Sequence, residues 1–152
     1  MRLRHVTLAL LAALPLTGCA SAVVTTAAPA ANNPLCASAM LKTPETISGR
    51  DRRDTTSQGN TAYGDPADIV VRCGVDAPGP TSQKCLAVDG VDWLVVEEQH
   101  PGQSPSHTWR ATTYGTEPTL EVVFNADTMP SSDVLPTLSA AAGALEKKRS
   151  CQ

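Results

Sequence analysis

Cys85-Leu86-Ala87-Val88-Asp89-Gly90-Val91-Asp92-Trp93-Leu94-Val95-Val96 is the stretch that decides the fold. Two β-prone arms flank an Asp-Gly pair. That pair suits the two central positions of a type I′ turn, which both need positive φ, so the arms form an antiparallel hairpin over 85–88 and 91–96. In the second arm Val91, Trp93 and Val95 alternate with Asp92 and Leu94, which directs Trp93 inward. Upstream, Asp68-Ile69-Val70-Val71-Arg72-Cys73 is β-branched and stops at Gly74, the pattern of a buried strand. Downstream, 108–114 and 119–124 form a second antiparallel pair joined by Gly115-Thr116-Glu117-Pro118. Leu120, Val122 and Phe124 share one face of it, with Glu121 and Val123 on the other. Residues 59–66 are turn-rich and 97–106 read as a Pro/Gly/Ser loop. The polar, charge-mixed stretch 47–58 is either an edge strand or a loop.

Helix signals bracket these strands. Asn33-Pro34 offers an N-cap and a first-turn proline for a short helix over 34–41, stopped by Pro44. Ser131 or Ser132 caps a helix from Asp133 to about Lys148, with Leu135, Leu138, Ala142 and Leu145 on one stripe. Pro136 is tolerated there only in the first turn. Asp133 and the run Lys147-Lys148-Arg149 complement the helix dipole. The expected class is α+β: one antiparallel sheet of four to five strands, a short N-terminal helix, and a C-terminal helix packed on one face, forming a single domain over 35–152.

The chain begins with a basic Met1–Arg4 and an apolar run from Val6 to Leu16, too short to span a bilayer. The run ends in Leu16-Thr17-Gly18-Cys19, the lipobox pattern in which small residues admit the signal peptidase and the Cys19 thiolate accepts diacylglycerol. Residues 1–18 therefore read as a lipoprotein signal peptide. Acyl chains on Cys19 supply membrane affinity of about 0.8 kcal/mol per buried CH₂. No polybasic segment follows, which leaves the anchoring to the lipid. Residues 20–34, rich in Ala, Thr, Asn and Pro, read as a flexible tether able to reach on the order of 50 Å.

Four cysteines remain: Cys36, Cys73, Cys85 and Cys151. In an exported domain an even count reads as disulfides, and four allow three pairings. The favoured pairing is Cys73–Cys85, clamping the loop 76–80, with Cys36–Cys151 tying the domain's start to its end. On the chain-entropy model the short loop contributes about 3 kcal/mol and the long one nearer 4.7 kcal/mol. No Cys-x-x-Cys spacing supports a zinc or redox motif. Such staples suit a chain with five aromatics, Tyr63, Trp93, Trp109, Tyr114 and Phe124.

Charge excludes one class of partner. The whole chain has 12 basic and 15 acidic residues, net −3. Residues 1–18 hold Arg2 and Arg4 and no acid, so without them the net charge is −5. That balance argues against nucleic acid and against anionic surfaces bound by charge.

Several motifs taken in order, Tyr63-Gly64-Asp65-Pro66, Ile69–Val75, Val88-Asp89-Gly90-Val91-Asp92-Trp93, Thr112-Thr113-Tyr114-Gly115 and Glu121-Val122, resemble the domain of unknown function 3515. The resemblance covers 36–151. It implies an exported, lipidated actinobacterial protein and a location in the envelope. The family has no assigned activity, so it carries over no catalytic residue.

Candidate chemistry is sparse. His100 and His107 bracket the loop 101–106, and with Glu97 and Glu98 they form the one candidate metal or acid–base cluster. Arg72 and Arg110 lie on strands, and Arg72 is expected to pair with Asp65 or Asp68. Tyr63, Asp65, Arg72, Trp109 and Arg110 are the candidate ligand contacts. Neither a Gly-rich phosphate loop nor a Gly-x-Ser-x-Gly nucleophile motif occurs, and no cofactor or metal is implied. The functional expectation is a cell-envelope lipoprotein on the outer face of the cytoplasmic membrane, lipid-anchored at Cys19. It would act as a binding or scaffolding module for an unidentified envelope protein or ligand. The alternatives are a cell-wall-acting enzyme, which needs converging carboxylates or histidines, and a carrier of an apolar ligand, which needs a cavity between sheet and helix.

Overall fold

A computed structural model describes residues 21–98 and 107–151. The expected hairpin is present. Asp89 (φ 47°) and Gly90 (φ 80°) make the turn, and β5 (Cys85–Val88) pairs antiparallel with β6 (Val91–Glu98), Val88 opposite Val91. Strand β4 (Ile69–Val75) pairs with β9 (Thr119–Asn125), and β9 with β7 (Thr108–Thr113), which in turn joins β6.

The sheet is larger than four or five strands. It has eight, in the order β1-β2-β3-β4-β9-β7-β6-β5. The additions are β1 (Thr46–Ile47), β2 (Arg50–Arg53) and β3 (Asn60–Tyr63). The first two fill the ambiguous stretch 47–58. They join through Ser48 (φ 49°) and Gly49 (φ 74°), both left-handed. The side chains of β2 are all charged, so no apolar alternation marks it; its neighbours fix it. A separate two-stranded ribbon pairs β8 (Thr116–Glu117) with β10 (Glu146–Lys147).

The N-terminal helix α1 (Pro34–Met40) forms as expected, with the Asn33 side chain accepting from the Leu35 N–H. The C-terminal helix does not. In its place stand α2 (Ser131–Val134), a 3₁₀ turn (Pro136–Leu138), α3 (Ser139–Ala142) and then β10. Pro136 brings no N–H to continue α2. Beyond Gly143 the chain turns extended, and Gly115 O accepts from the N–H groups of Lys148 (2.7 Å) and Arg149 (3.2 Å). Tertiary pairing thus overrides helix propensity at 146–149. The apolar stripe was nonetheless read correctly, since Leu135, Leu138, Ala142 and Leu145 are all buried.

The core lies between the helices and one sheet face. Trp93, Tyr63, Phe124, Ile47, Ile69 and Leu120 are its largest fully buried side chains. The disulfides correct the expected pairing. Cys36 on α1 bonds to Cys73 on β4, and Cys85 on β5 bonds to Cys151. Cys36 lies on the buried side of α1 and Cys73 on the core face of β4, so their pairing follows from docking the helix. With Cys73 committed inward, the loop 76–80 is not clamped.

The segment expected as a tether is packed instead. Val23 forms a parallel bridge with Thr55, donating to Asp54 O (2.8 Å) and accepting from the Thr56 N–H (3.0 Å). Ala30 donates to Gly74 O (2.9 Å), and Ala28 and Ala31 are buried. Small side chains, which as a run carry no periodicity, are what allow this backbone-to-backbone approach. Cys19 lies outside the described residues. Among those described, no helix is long and apolar enough to cross a membrane.

Candidate functional site

The candidate contacts read from sequence do not converge. Tyr63 is fully buried on β3 and its hydroxyl donates to Pro44 O (2.8 Å). Burial raises its pKa above the ordinary 10.0, against the opposing effect of hydrogen bonds to Thr43 and Thr61 and the charge of Arg52. Asp65 is exposed and pairs with Arg53 (2.9 Å). Asp68 pairs with Arg50 (2.7 Å). Neither acid holds Arg72, whose partner is Glu121 (3.3 Å) on the adjoining strand β9. Trp109 is half-buried against the edge of the core.

Arg72 and Arg110 do meet, through Glu121. This carboxylate is 4% exposed on the sheet face away from the helices, and Arg110 Nη1 bonds its Oε2. Arg110 also holds Glu98, its Nε donating to Oε1 (2.6 Å). Burial alone would lower the Arg110 pKa; the bond to Glu98 and the charge of Glu121 outweigh it and raise the value above the usual one. Arg72 Nε and Glu121 Oε1 attract as ions without hydrogen-bond alignment. Two cations and two carboxylates cancel, so this row neutralises itself across β4, β9, β7 and β6.

Of the expected histidine cluster, His107 and Glu97 come together and Glu98 does not. His107 Nδ1 lies 2.7 Å from Glu97 Oε1 in an exposed pair, Glu98 belongs to Arg110, and His100 lies outside the described residues. Among the described residues no group of three or more His, Cys, Asp or Glu side chains is placed to hold a metal ion.

A different site is built around the second disulfide. A cleft of about 650 Å³ is lined by 80–85, Leu94, Tyr114 and 149–151. Among the described residues that line it, the charged ones are Lys84 and Arg149, with no carboxylate and no imidazole; the Asp92 carboxylate lies just behind, accepting from the Cys151 N–H (3.1 Å). Arg149 lies 5.1 Å from the centroid of the Tyr114 ring, a cation–π distance. Its Nη2 donates to Pro78 O (2.8 Å), which ties the guanidinium to the 76–80 loop. Thr81, Ser82, Gln83 and Ser150 add neutral polar groups, while Leu94 supplies an apolar wall.

Reading the sequence missed this cleft because it mispaired the cysteines. Lys84 precedes Cys85 by one residue and Arg149 precedes Cys151 by two. Once those cysteines are joined, the two cations face one site. A cation beside each member of a pair was the available signal.

A family model described as a protein of unknown function, DUF3515, matches residues 5–150. The chain belongs to the DUF3515 family. No curated protein and no protein of solved structure is significantly similar to it. The DUF3515 match includes the packed segment 21–33 together with the sheet and the cleft. The family thus takes in the N-terminal segment as well as the α+β unit.

Proposed function

We propose that this DUF3515 chain is a cell-envelope lipoprotein, anchored through Cys19 at the outer face of the cytoplasmic membrane, that binds an anionic ligand in the cleft beside Cys85–Cys151. One observation carries the ligand class: among the described residues the cleft is lined by Lys84 and Arg149 and by no acid, in a chain whose net charge is negative. A phosphate or carboxylate group would meet the guanidinium, with an attached apolar portion against Leu94 and Tyr114. The lining lacks the imidazole or carboxylate that general acid–base chemistry calls for, which favours a binding module over an enzyme. Two disulfides support an oxidising compartment, and Leu16–Cys19 supports the anchor.

Amide shift perturbation with short-chain probes tests the ligand class. Dihexanoyl phosphatidate or hexanoate should shift 81–85, Tyr114 and 149–151 together, and hexanol should not. Equal shifts with hexanol, or shifts scattered over the surface, would refute the anionic site.

A further inference from the structure

The N-terminal segment fixes more than its own path. Cys19 is two residues from Ser21, so their Cα atoms lie within about 7 Å of each other. Ser21 O accepts from Arg53 Nη2 on β2 (2.8 Å), and Val23 is bridged to Thr55 just beyond that strand. Further along, Thr25 Oγ1 bonds Ser57 Oγ (2.8 Å) and Ala30 donates to Gly74 O. An acyl group on Cys19 would have almost no free chain between itself and the β2 end of the sheet.

The surface there fits a bilayer. Among the described residues three large hydrophobic side chains are exposed: Val24 at 87%, Leu41 at 84% and Leu86 at 42%. The two most exposed belong to this end. Val24 follows the bridged Val23, and Leu41 follows Met40, whose carbonyl accepts from Arg52 on β2 (3.4 Å). Three nearby arginines are paired with acids, Arg50 with Asp68, Arg52 with Glu45 and Arg53 with Asp65, and Lys42 beside Leu41 is the exposed cation able to reach a headgroup phosphate.

We infer that the β1–β2 end of the sheet rests on the bilayer surface with Val24 and Leu41 in the headgroup region, giving the anchored domain one orientation. This rests on lipidation of Cys19. The anion-binding cleft is then carried away from the membrane. It adjoins β5, which is six strand spacings from β2, roughly 29 Å at about 4.8 Å per spacing.

The full lipidated chain, ¹⁵N-labelled and held in phosphatidylcholine nanodiscs doped with a gadolinium-chelate lipid, tests it. Amides of 53–55 and 64–65 should be broadened several-fold more than those of 81–84 and 89–90. Val23→Pro, which removes the N–H that bonds Asp54 O, should abolish that difference while leaving the core signals in place. Uniform broadening in a chain whose intact mass shows acylated Cys19 overturns the orientation alone. Persistence of the difference in Val23→Pro overturns the bridge as its cause. An intact mass without acyl groups on Cys19 overturns the anchored reading and the orientation with it.

Discussion

Gly74 sits where β4 meets the N-terminal segment, and two demands fall on it together. Its φ is +89°, and a Cβ there would stand 2.3 Å from the carbonyl carbon of Ala30. Gly74→Ala should cost about 2–3 kcal/mol and lower the Tm by roughly 7–11 °C in a domain of this size, read by calorimetry. Glu121 makes a different demand, since it alone balances Arg72 and part of Arg110 on the open sheet face. Glu121→Gln should destabilise by about 1–2 kcal/mol, less than a deeply buried pair loses because both arginines remain about one-third exposed; a denaturant midpoint measures it. Tyr63 links stability to pH. Its folded pKa is raised by burial, so the folded state holds this proton more tightly than the unfolded state. The stability it contributes is complete below pH 10 and is lost as pH rises through the higher folded value. Chemical unfolding followed from pH 8 to 11 should show the decline, and Tyr63→Phe should reduce its slope.

At the level of elements, the turn chemistry and the period-two pattern make the hairpin, β4, and the β7–β9 pair legible in the sequence. Asp89-Gly90 allows little else, and Leu120, Val122 and Phe124 face the core as their alternation required. The signal ran out where neighbours rather than side chains decide the conformation. Arg50–Arg53 is a strand because β3 is beside it, and Glu146–Lys147 is a strand because Thr116–Glu117 is. Cysteine spacing was equally silent about partners, because pairing depends on how α1 docks on β4. The two bonds close loops with sequence separations of 37 and 66, worth about 4 kcal/mol each on the chain-entropy model. They differ in access: Cys36 and Cys73 are fully buried, whereas Cys85 and Cys151 are partly exposed. Tryptic cleavage after Arg72 and Lys84 separates the cysteine-bearing peptides, so a non-reducing map should show Cys36 with Cys73 and Cys85 with Cys151. Limiting reductant should open the Cys85–Cys151 pair first, which timed alkylation and mass analysis would record.

For the whole molecule, what was legible is what is local in sequence. The lipobox and the even cysteine count are local patterns, readable without a fold. The cleft is assembled from 80–85, Leu94, Tyr114 and 149–151, segments that come together only through the sheet order and the Cys85–Cys151 bond. The candidates read from sequence are already engaged: Tyr63 and Trp109 in or against the core, Asp65 with Arg53, and Arg72 and Arg110 with Glu121. The cleft's two cations, Lys84 and Arg149, are by contrast exposed side chains outside the core. Double replacement Lys84→Glu and Arg149→Glu should therefore change stability by less than about 1 kcal/mol, as expected for surface positions. The same replacement should remove ligand binding. The most direct measurement of that claim is photocrosslinking in living cells from p-benzoylphenylalanine placed at position 114, with the adduct identified by mass. The account predicts a phosphate- or carboxylate-bearing envelope component joined at position 114, absent from the Lys84→Glu/Arg149→Glu chain. An uncharged adduct, or an adduct formed equally by the charge-reversed chain, would contradict it.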